Sequence, residues 1–241
     1  MHVVLVHGSL DRSAGLLKLS RRLDERFRVT RYDRRGYGRS VPHPGPFDID
    51  QQVADLVAVI GAAPDASVPV VMIGHSYGGN VALATADRHP DLVAAVVTYE
   101  SPLSWLDWWP GNSAGGDAME WRDDPQEAAE RFMRRLLGDD RWERLPETSR
   151  QARRSEGPAM VGELSDLRRR APWNAARVVV PVLALHGEHG HDHHRLGAEV
   201  LAAMLPDAVS RSVADARHFG PNTHPDDVAR VVIEFLERRL G

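Results

Sequence analysis

The chain contains no cysteine among its 241 residues. Disulfide bonds, thiolate metal sites and cysteine nucleophiles are therefore excluded together. The sequence also lacks a charged leader followed by a long apolar segment, so we expect no signal peptide, no membrane partner and a cytoplasmic location. The net charge is only −4, and acidic and basic residues are interspersed, which argues against a nucleic-acid partner.

Short apolar runs alternate with longer helix-like segments, which is typical of a parallel sheet covered by helices. Most predicted strands are continuous apolar runs, as expected for strands buried on both faces. Residues 28–32 instead carry arginines and are expected at a sheet edge. The predicted strands are residues 3–6, 28–32, 70–73, 94–98, 182–185 and 209–213. The predicted helices are residues 14–25, 50–62, 79–88, 195–204 and 225–239.

The interval 103–172 breaks this alternation. It contains loop-forming sequence at residues 110–116 and amphipathic helix patterns rich in arginine and glutamate, but no strand pattern. We therefore expect a helical cap at residues 103–172, inserted into a core formed by residues 1–102 and 173–241. Its tryptophans are candidates for substrate contacts, although for each one a place in the cap's own core is favoured. The candidates are Trp105, Trp108 and Trp109.

Residues 74–79 read Gly-His-Ser-Tyr-Gly-Gly and lie between an apolar run and a helix-like stretch. This is the pattern G-x-S-x-G in a strand–turn–helix setting, where the tight turn requires glycine two residues before and after the serine. Such a turn holds the Ser76 hydroxyl clear of the sheet. The pattern therefore predicts that Ser76 is a nucleophile, in preference to a purely structural glycine turn.

Four landmarks, taken in chain order, resemble the α/β-hydrolase family and its capped members with a serine nucleophile. They are His7-Gly8-Ser9, the loop Asp33–Ser40 that is similar to D-x-R-G-x-G-x-S, the turn at Ser76, and His218 before the last helix. The resemblance implies an α/β-hydrolase fold, no cofactor and a small-molecule substrate. The family usually has a β-hairpin before the first of these strands. Because that strand here begins at Met1, we expect a mostly parallel sheet of about six strands flanked by helices.

The resemblance also implies a role for individual residues. His218 would accept the proton of Ser76 as general base. The oxyanion hole would use the backbone N–H of Tyr77 and that of Ser9 or Leu10. The expected reaction is hydrolysis of a carboxylic ester or related acyl bond through an acyl-enzyme. Lactonases, thioesterases and carbon–carbon bond hydrolases share these landmarks, so they stay open.

The carboxylate that would orient His218 is ambiguous. Gly190 occupies the position where the resemblance implies an aspartate, and Asp192 lies two residues later. Glu188 is a weaker alternative in the same segment. Glu100 directly follows the predicted strand after the serine turn, where some relatives carry their acid, and a buried carboxylate is costly without a partner. We favour Glu100 over Asp192, with Glu188 behind both.

Two other interpretations stay open. Residues 186–194 include five histidines, a glutamate and an aspartate, a composition that suits zinc or nickel. A solvated loop at the rim of the site is favoured, so we expect no metal. The displaced acid also leaves room for a catalytically silent fold that binds a small ligand or serves as a scaffold. The intact serine turn and His218 favour an enzyme over a silent fold. The oligomeric state stays open.

Overall fold

A computed structural model describes residues 1–64 and 67–241. In this part of the chain six strands form one sheet in the order β2-β1-β3-β4-β5-β6, and all neighbouring strands run parallel. The strands are β1 (His2–Val6), β2 (Arg28–Arg31), β3 (Val70–His75), β4 (Val93–Tyr99), β5 (Val182–Gly187) and β6 (Ala208–Val213). The prediction of a parallel sheet of about six strands is confirmed.

Helices follow the strands and fill the connections between them. They are α1 (Leu17–Leu23), α2 (Ile49–Gly61), α3 (Tyr77–Arg88), α4 (Ala114–Met119), α5 (Pro125–Leu137), α6 (Asp139–Glu143), α7 (Glu147–Ser155), α8 (Gly157–Arg169), α9 (Asp192–Met204), α10 (Gly220–Thr223) and α11 (Pro225–Leu240). Short 3₁₀ turns occupy Ser13–Leu16, Pro90–Leu92 and Ala175–Arg177. None of the helices among the described residues is long and apolar enough to cross a membrane.

Successive residues of β1 point into two different hydrophobic cores. Val4 and Val6 belong to the core that contains residues of α2, α3 and α9. Val3 and Leu5 belong to the core formed with residues of α1 and α11. Both faces of the sheet are therefore covered, and this is why the inner strands read as continuous apolar runs rather than as an alternating pattern.

The arginine-bearing strand lies at the edge, as its sequence predicted. Among the described strands β2 pairs only with β1, and all of its residues are half-buried. Arg31 folds back so that its Nη1 donates to the carbonyl oxygen of Ser13 at 2.6 Å. The strand itself ends at Arg31, one residue short of the predicted end at Tyr32.

Five helices, α4 to α8, lie between β4 and β5 in the interval where no strand pattern was found. Their apolar side chains form a third hydrophobic cluster that includes Phe132, Trp142 and Met160. Leu10 and Tyr37, which come from the loops that follow β1 and β2, are part of the same cluster. The helices therefore pack directly onto the loops at one end of the sheet. The exact division of the chain at residues 102 and 173 stays a prediction.

A buried carboxylate links these helices to the sheet. Glu163 on α8 is fully buried and forms an ion pair with Arg34, which is also fully buried. Its Oε2 accepts hydrogen bonds from the hydroxyls of Ser9 and Tyr37, both at 2.7 Å. Its Oε1 accepts a hydrogen bond from Nε2 of Gln52 at 3.0 Å. One carboxylate thus fixes α8 relative to three separate segments of the core.

Candidate active site

The serine turn has the geometry that its sequence predicted. β3 ends at His75, α3 begins at Tyr77, and Ser76 between them has φ 53° and ψ −125°. A Cβ at Gly74 would lie 2.4 Å from the carbonyl oxygen of Gly78. A Cβ at Gly78 would lie 2.2 Å from the carbonyl oxygen of Val6. Only glycine fits at these two positions, because the atoms in the way belong to the backbone.

Glu100 lies next to His218 in the structure. It directly follows β4 and is buried, and its Oε2 accepts a hydrogen bond from Nδ1 of His218 at 2.7 Å. Its Oε1 accepts a hydrogen bond from the backbone N–H of Gly187 at 2.9 Å. Burial raises the pKa of Glu100, but contacts with His194 and His218 outweigh it and hold the pKa well below its usual value. Glu100 is therefore ionised at neutral pH.

The other two acid candidates lie elsewhere. Asp192 is the first residue of α9; its side chain is 99% exposed and its charged neighbour is Arg195, at 3.7 Å. Glu188 is exposed and accepts a hydrogen bond from the backbone N–H of Asp215 at 3.0 Å. The structure thus does not bring Asp192 or Glu188 to Nδ1 of His218, which is already bonded to another carboxylate.

Gly190 leaves room for the carboxylate of Glu100. A Cβ at this position would lie 2.6 Å from Oε1 of Glu100. The carboxylate of Glu100 therefore fills the space into which a side chain at position 190 would project. A side chain at residue 190 would have to displace this carboxylate, so the glycine is compatible with a buried glutamate at residue 100.

A second histidine contacts the same carboxylate. Nδ1 of His194 lies 2.6 Å from Oε2 of Glu100, although the contact lacks the alignment of a hydrogen bond. The His194 and His218 rings are stacked, with centroids 4.9 Å apart. Burial lowers the pKa of His194, and proximity to the Glu100 carboxylate only partly offsets it. The sequence showed His194 as one histidine among five; only the folded chain distinguishes it.

Among the described residues, these three also form a group, buried at Glu100, whose atoms could hold a metal ion. The donor atoms of Glu100, His194 and His218 all lie within 4.8 Å of one another. However, Nδ1 of His218 already donates its proton to the carboxylate, and a metal ion would have to replace that hydrogen bond. A second possible group is wholly exposed and consists of Glu188, His189 and Asp215. The hypothesis of a functional metal therefore gains no specific support from this geometry.

The predicted oxyanion amides lie beside the serine. Gly8 passes so close that a Cβ on it would lie 3.0 Å from the Cβ of Ser76. Among the described residues, the backbone N–H groups of Ser9, Leu10 and Tyr77 donate to no carbonyl or side-chain oxygen. Leu10 has φ 52°, an uncommon conformation for leucine. These amides are therefore free to bind an oxyanion that forms next to Ser76.

Two cavities meet at Ser76 and His218, which line both of them. Their volumes are about 240 Å³ and about 270 Å³. Phe132 and Leu136 of α5 also line both cavities, so the inserted helices form part of each wall. Within the described residues, no hydrogen bond joins the hydroxyl of Ser76 to His218. Such contacts are often long in free enzymes and tighten only when substrate is bound.

Of the three tryptophans predicted to contact substrate, Trp109 lines a cavity next to Ser76. Trp105 instead packs edge-on against Trp173, with ring centroids 5.4 Å apart, at the main core. Trp108 packs on Trp109 and is 38% exposed. The positions of Trp105 and Trp108 do not support the predicted substrate contact, because one faces the core and the other faces solvent.

Two other histidines near the site are buried and form hydrogen bonds with backbone groups. His7 is fully buried, and its Nε2 accepts a hydrogen bond from the backbone N–H of Arg34 at 2.9 Å. His75 donates through Nε2 to the carbonyl oxygen of His218 at 2.8 Å. Burial lowers the pKa of both rings, that of His75 to about 3. They are therefore neutral at neutral pH, and His75 fixes the loop that carries His218.

Comparison with known proteins places this architecture in a family. The sequence profile of the Alpha/beta hydrolase family matches residues 3–231, so the chain belongs to that family and is an α/β hydrolase. The provisionally assigned carbamate hydrolase RutD from Caulobacter segnis is 41% identical over 98 residues, which are 39% of this chain and 36% of RutD. The chain thus matches little more than a third of that relative's length.

Other relatives match over most of their length. The pimeloyl-[acyl-carrier protein] methyl ester esterase from Salmonella paratyphi A is 29% identical over 242 residues, covering 93% of this chain and 89% of the esterase. A thermophilic esterase from Thermogutta terrifontis superposes with a TM-score of 0.78 at 22% identity, covering 100% of this chain and 91% of that structure. At this identity the structural match supports the fold alone.

Proposed function

We propose that this α/β hydrolase cleaves a carboxylic ester or related acyl bond of a small, partly apolar molecule, with Ser76, His218 and Glu100 as its catalytic triad. The observation that carries the proposal is the 2.7 Å hydrogen bond from Nδ1 of His218 to Glu100. That bond leaves Nε2 of His218 as the ring nitrogen available to a proton on Ser76, and both residues line the same cavity.

The reaction would proceed in two halves. Nε2 of His218 accepts the hydroxyl proton as Oγ of Ser76 attacks the acyl carbon, and Glu100 stabilises the resulting imidazolium. The tetrahedral oxyanion accepts hydrogen bonds from the amides of Tyr77 and of Ser9 or Leu10. His218 then donates the proton to the leaving alcohol, which yields an acyl-enzyme. In the second half His218 activates a water molecule, which releases the acid and restores Ser76.

Three features favour acyl transfer over other reactions of the family. Residue 76 is a serine, whereas the dehalogenase and epoxide hydrolase branches use an aspartate nucleophile. A relative that matches along most of its length is named as a methyl ester esterase. The free amides beside Ser76 suit the oxyanion of an acyl intermediate. The proposal needs no cofactor, because the nucleophile, base and oxyanion donors all come from the chain.

Labelling with a fluorophosphonate probe tests the proposal directly. We expect one stoichiometric adduct by intact-mass analysis in the wild-type protein, and none in Ser76→Ala. Ser101→Ala is the matched control, since Ser101 is also a buried serine near the site but is not at the turn; it should label like the wild type. Absence of an adduct on folded wild-type protein would instead favour a catalytically silent fold that binds a small ligand.

A further inference from the structure

The cavity in front of Ser76 has a positively charged wall. Two arginines line it, Arg135 and Arg168, and no aspartate or glutamate does so among the described residues. Histidines line it as well, but burial lowers the pKa of His193 to about 4, so that ring is neutral at neutral pH. The two guanidinium groups therefore place two permanent positive charges on the wall of this cavity.

Arg168 is held in place without a carboxylate partner. It is half-buried near the end of α8, and its Nη1 donates to the carbonyl oxygen of Leu164 at 3.1 Å. A Cβ on Gly115 of α4 would lie 3.0 Å from Nη2, so α4 packs closely against the guanidinium. No carboxylate of the described residues pairs with Arg168. Burial lowers the pKa of this side chain, yet a guanidinium keeps its charge at neutral pH.

Neighbouring arginines differ from Arg168 in this respect. Arg169, the next residue of α8, donates to Asp166 at 2.9 Å and is exposed. Arg135 lies 3.4 Å from Asp117 and is also exposed. Arg168 is thus the arginine of the cavity wall that is partly removed from water and yet has no carboxylate partner. A half-buried charge in this state is costly, and binding an anionic group from a ligand would offset the cost.

We propose that Arg168 binds a carboxylate of the substrate, so that the enzyme acts on acyl compounds that carry a second, free carboxylate group. This inference rests on the proposed function. It concerns the same substrate, and it places the free carboxylate at the end of that substrate away from the acyl carbon that Ser76 attacks. One bond to Leu164 uses only one of the five guanidinium protons. The remaining N–H groups can bind both oxygens of a carboxylate in parallel. The cavity volume of about 240 Å³ limits the substrate to a small molecule.

Matched pairs of esters test this specificity. We would measure kcat/KM for monomethyl glutarate, adipate and suberate, and for methyl pentanoate, hexanoate and octanoate. In the wild type we expect the anionic ester of the best pair to be preferred by about tenfold or more. In Arg168→Gln the kcat/KM of the anionic esters should fall about 100-fold, while the neutral esters keep their rates. Arg169→Gln removes the same charge from the same helix and should leave both series unchanged.

A binding measurement separates this proposal from the proposed function. Adipate should raise the melting temperature of the wild type and of Ser76→Ala, but not that of Arg168→Gln. If adipate behaves in this way while no ester is cleaved, the carboxylate site stands and the esterase proposal fails. Equal stabilisation of Arg168→Gln, or equal loss of both ester series in that variant, would overturn the site. Fluorophosphonate labelling of Arg168→Gln at the wild-type rate would show that its Ser76 is intact.

Discussion

At the scale of single residues, backbone strain is concentrated around Ser76. The non-glycine residues of the described chain with positive φ are Leu10 at 52°, Ser76 at 53°, Glu100 at 48° and Asp215 at 55°. The first three are residues proposed above for the oxyanion hole, the nucleophile and the acid, and the fourth lies in the loop that leads to His218. Each such conformation costs about 1–3 kcal/mol, and folds keep it chiefly where a side chain or amide must point in one direction.

Replacing the acid tests its role against the rival position. Glu100→Gln would leave the site without the charge that stabilises the His218 imidazolium, and kcat for an ester substrate should fall about a thousandfold or more. Asp192→Asn is the matched control and should keep the wild-type kcat, because the Asp192 side chain is 99% exposed. Steady-state kinetics would give kcat for both variants, and their melting temperatures would show whether both are folded. A large loss in Asp192→Asn with an active Glu100→Gln would contradict the assignment.

At the scale of secondary-structure elements, the serine turn depends on close backbone approach between β1, β3 and α3. Gly78→Ala would place a Cβ 2.2 Å from the carbonyl oxygen of Val6, and the strand cannot retreat without breaking its pairing. We expect the free energy of unfolding to fall by at least about 2 kcal/mol, measured by urea titration. Gly61→Ala is the control, since nothing lies within 4 Å of its Cβ. That variant should gain stability, and equal losses in both would refute this explanation.

The link between α8 and the sheet gives a second prediction at this scale. Glu163→Gln would leave the fully buried Arg34 without its counter-charge. We therefore expect the free energy of unfolding to fall by about 3 kcal/mol. Glu127→Gln removes a half-buried but solvent-accessible partner of Arg131 on α5, and its cost should stay below about 0.5 kcal/mol. Urea titrations of both variants would test the contrast. Similar small costs for both variants would show that the buried pair does not hold the helices to the sheet.

The sequence predicted the elements and motifs that depend on local pattern. Continuous apolar runs gave the inner strands, arginines gave the edge strand β2, and glycine spacing gave the turn at Ser76. Glu100 is favoured as the acid because its carboxylate directly follows a predicted buried strand. The sequence could not single out His194, Glu163 or Arg168, because each acquires its role from residues far away in the chain. His194 meets Glu100 across 94 positions (194 − 100), and no local pattern encodes such a contact.

At the scale of the whole molecule, buried and half-buried histidines make the stability sensitive to acid. Burial lowers the pKa of four histidines from 6.5 in the folded chain, to about 3 for His75 and about 4 for His193, and also for His7 and His194. Below pH about 6.5 the unfolded chain therefore binds more protons than the folded chain. Their contribution to stability is complete above that pH and is lost as the pH falls.

We therefore expect the free energy of unfolding, measured by urea titration, to fall between pH 7 and pH 5. His75 alone would account for about 2 kcal/mol of the loss, at about 1.4 kcal/mol per pH unit below its unfolded pKa. Asp11, whose pKa is raised by burial, opposes the trend, but it is one group against four. His75→Asn should flatten the pH dependence, whereas His189→Asn, at an exposed position, should not. A free energy of unfolding that stays constant down to pH 5 would mean that these rings bind protons as readily in the folded chain as in the unfolded chain.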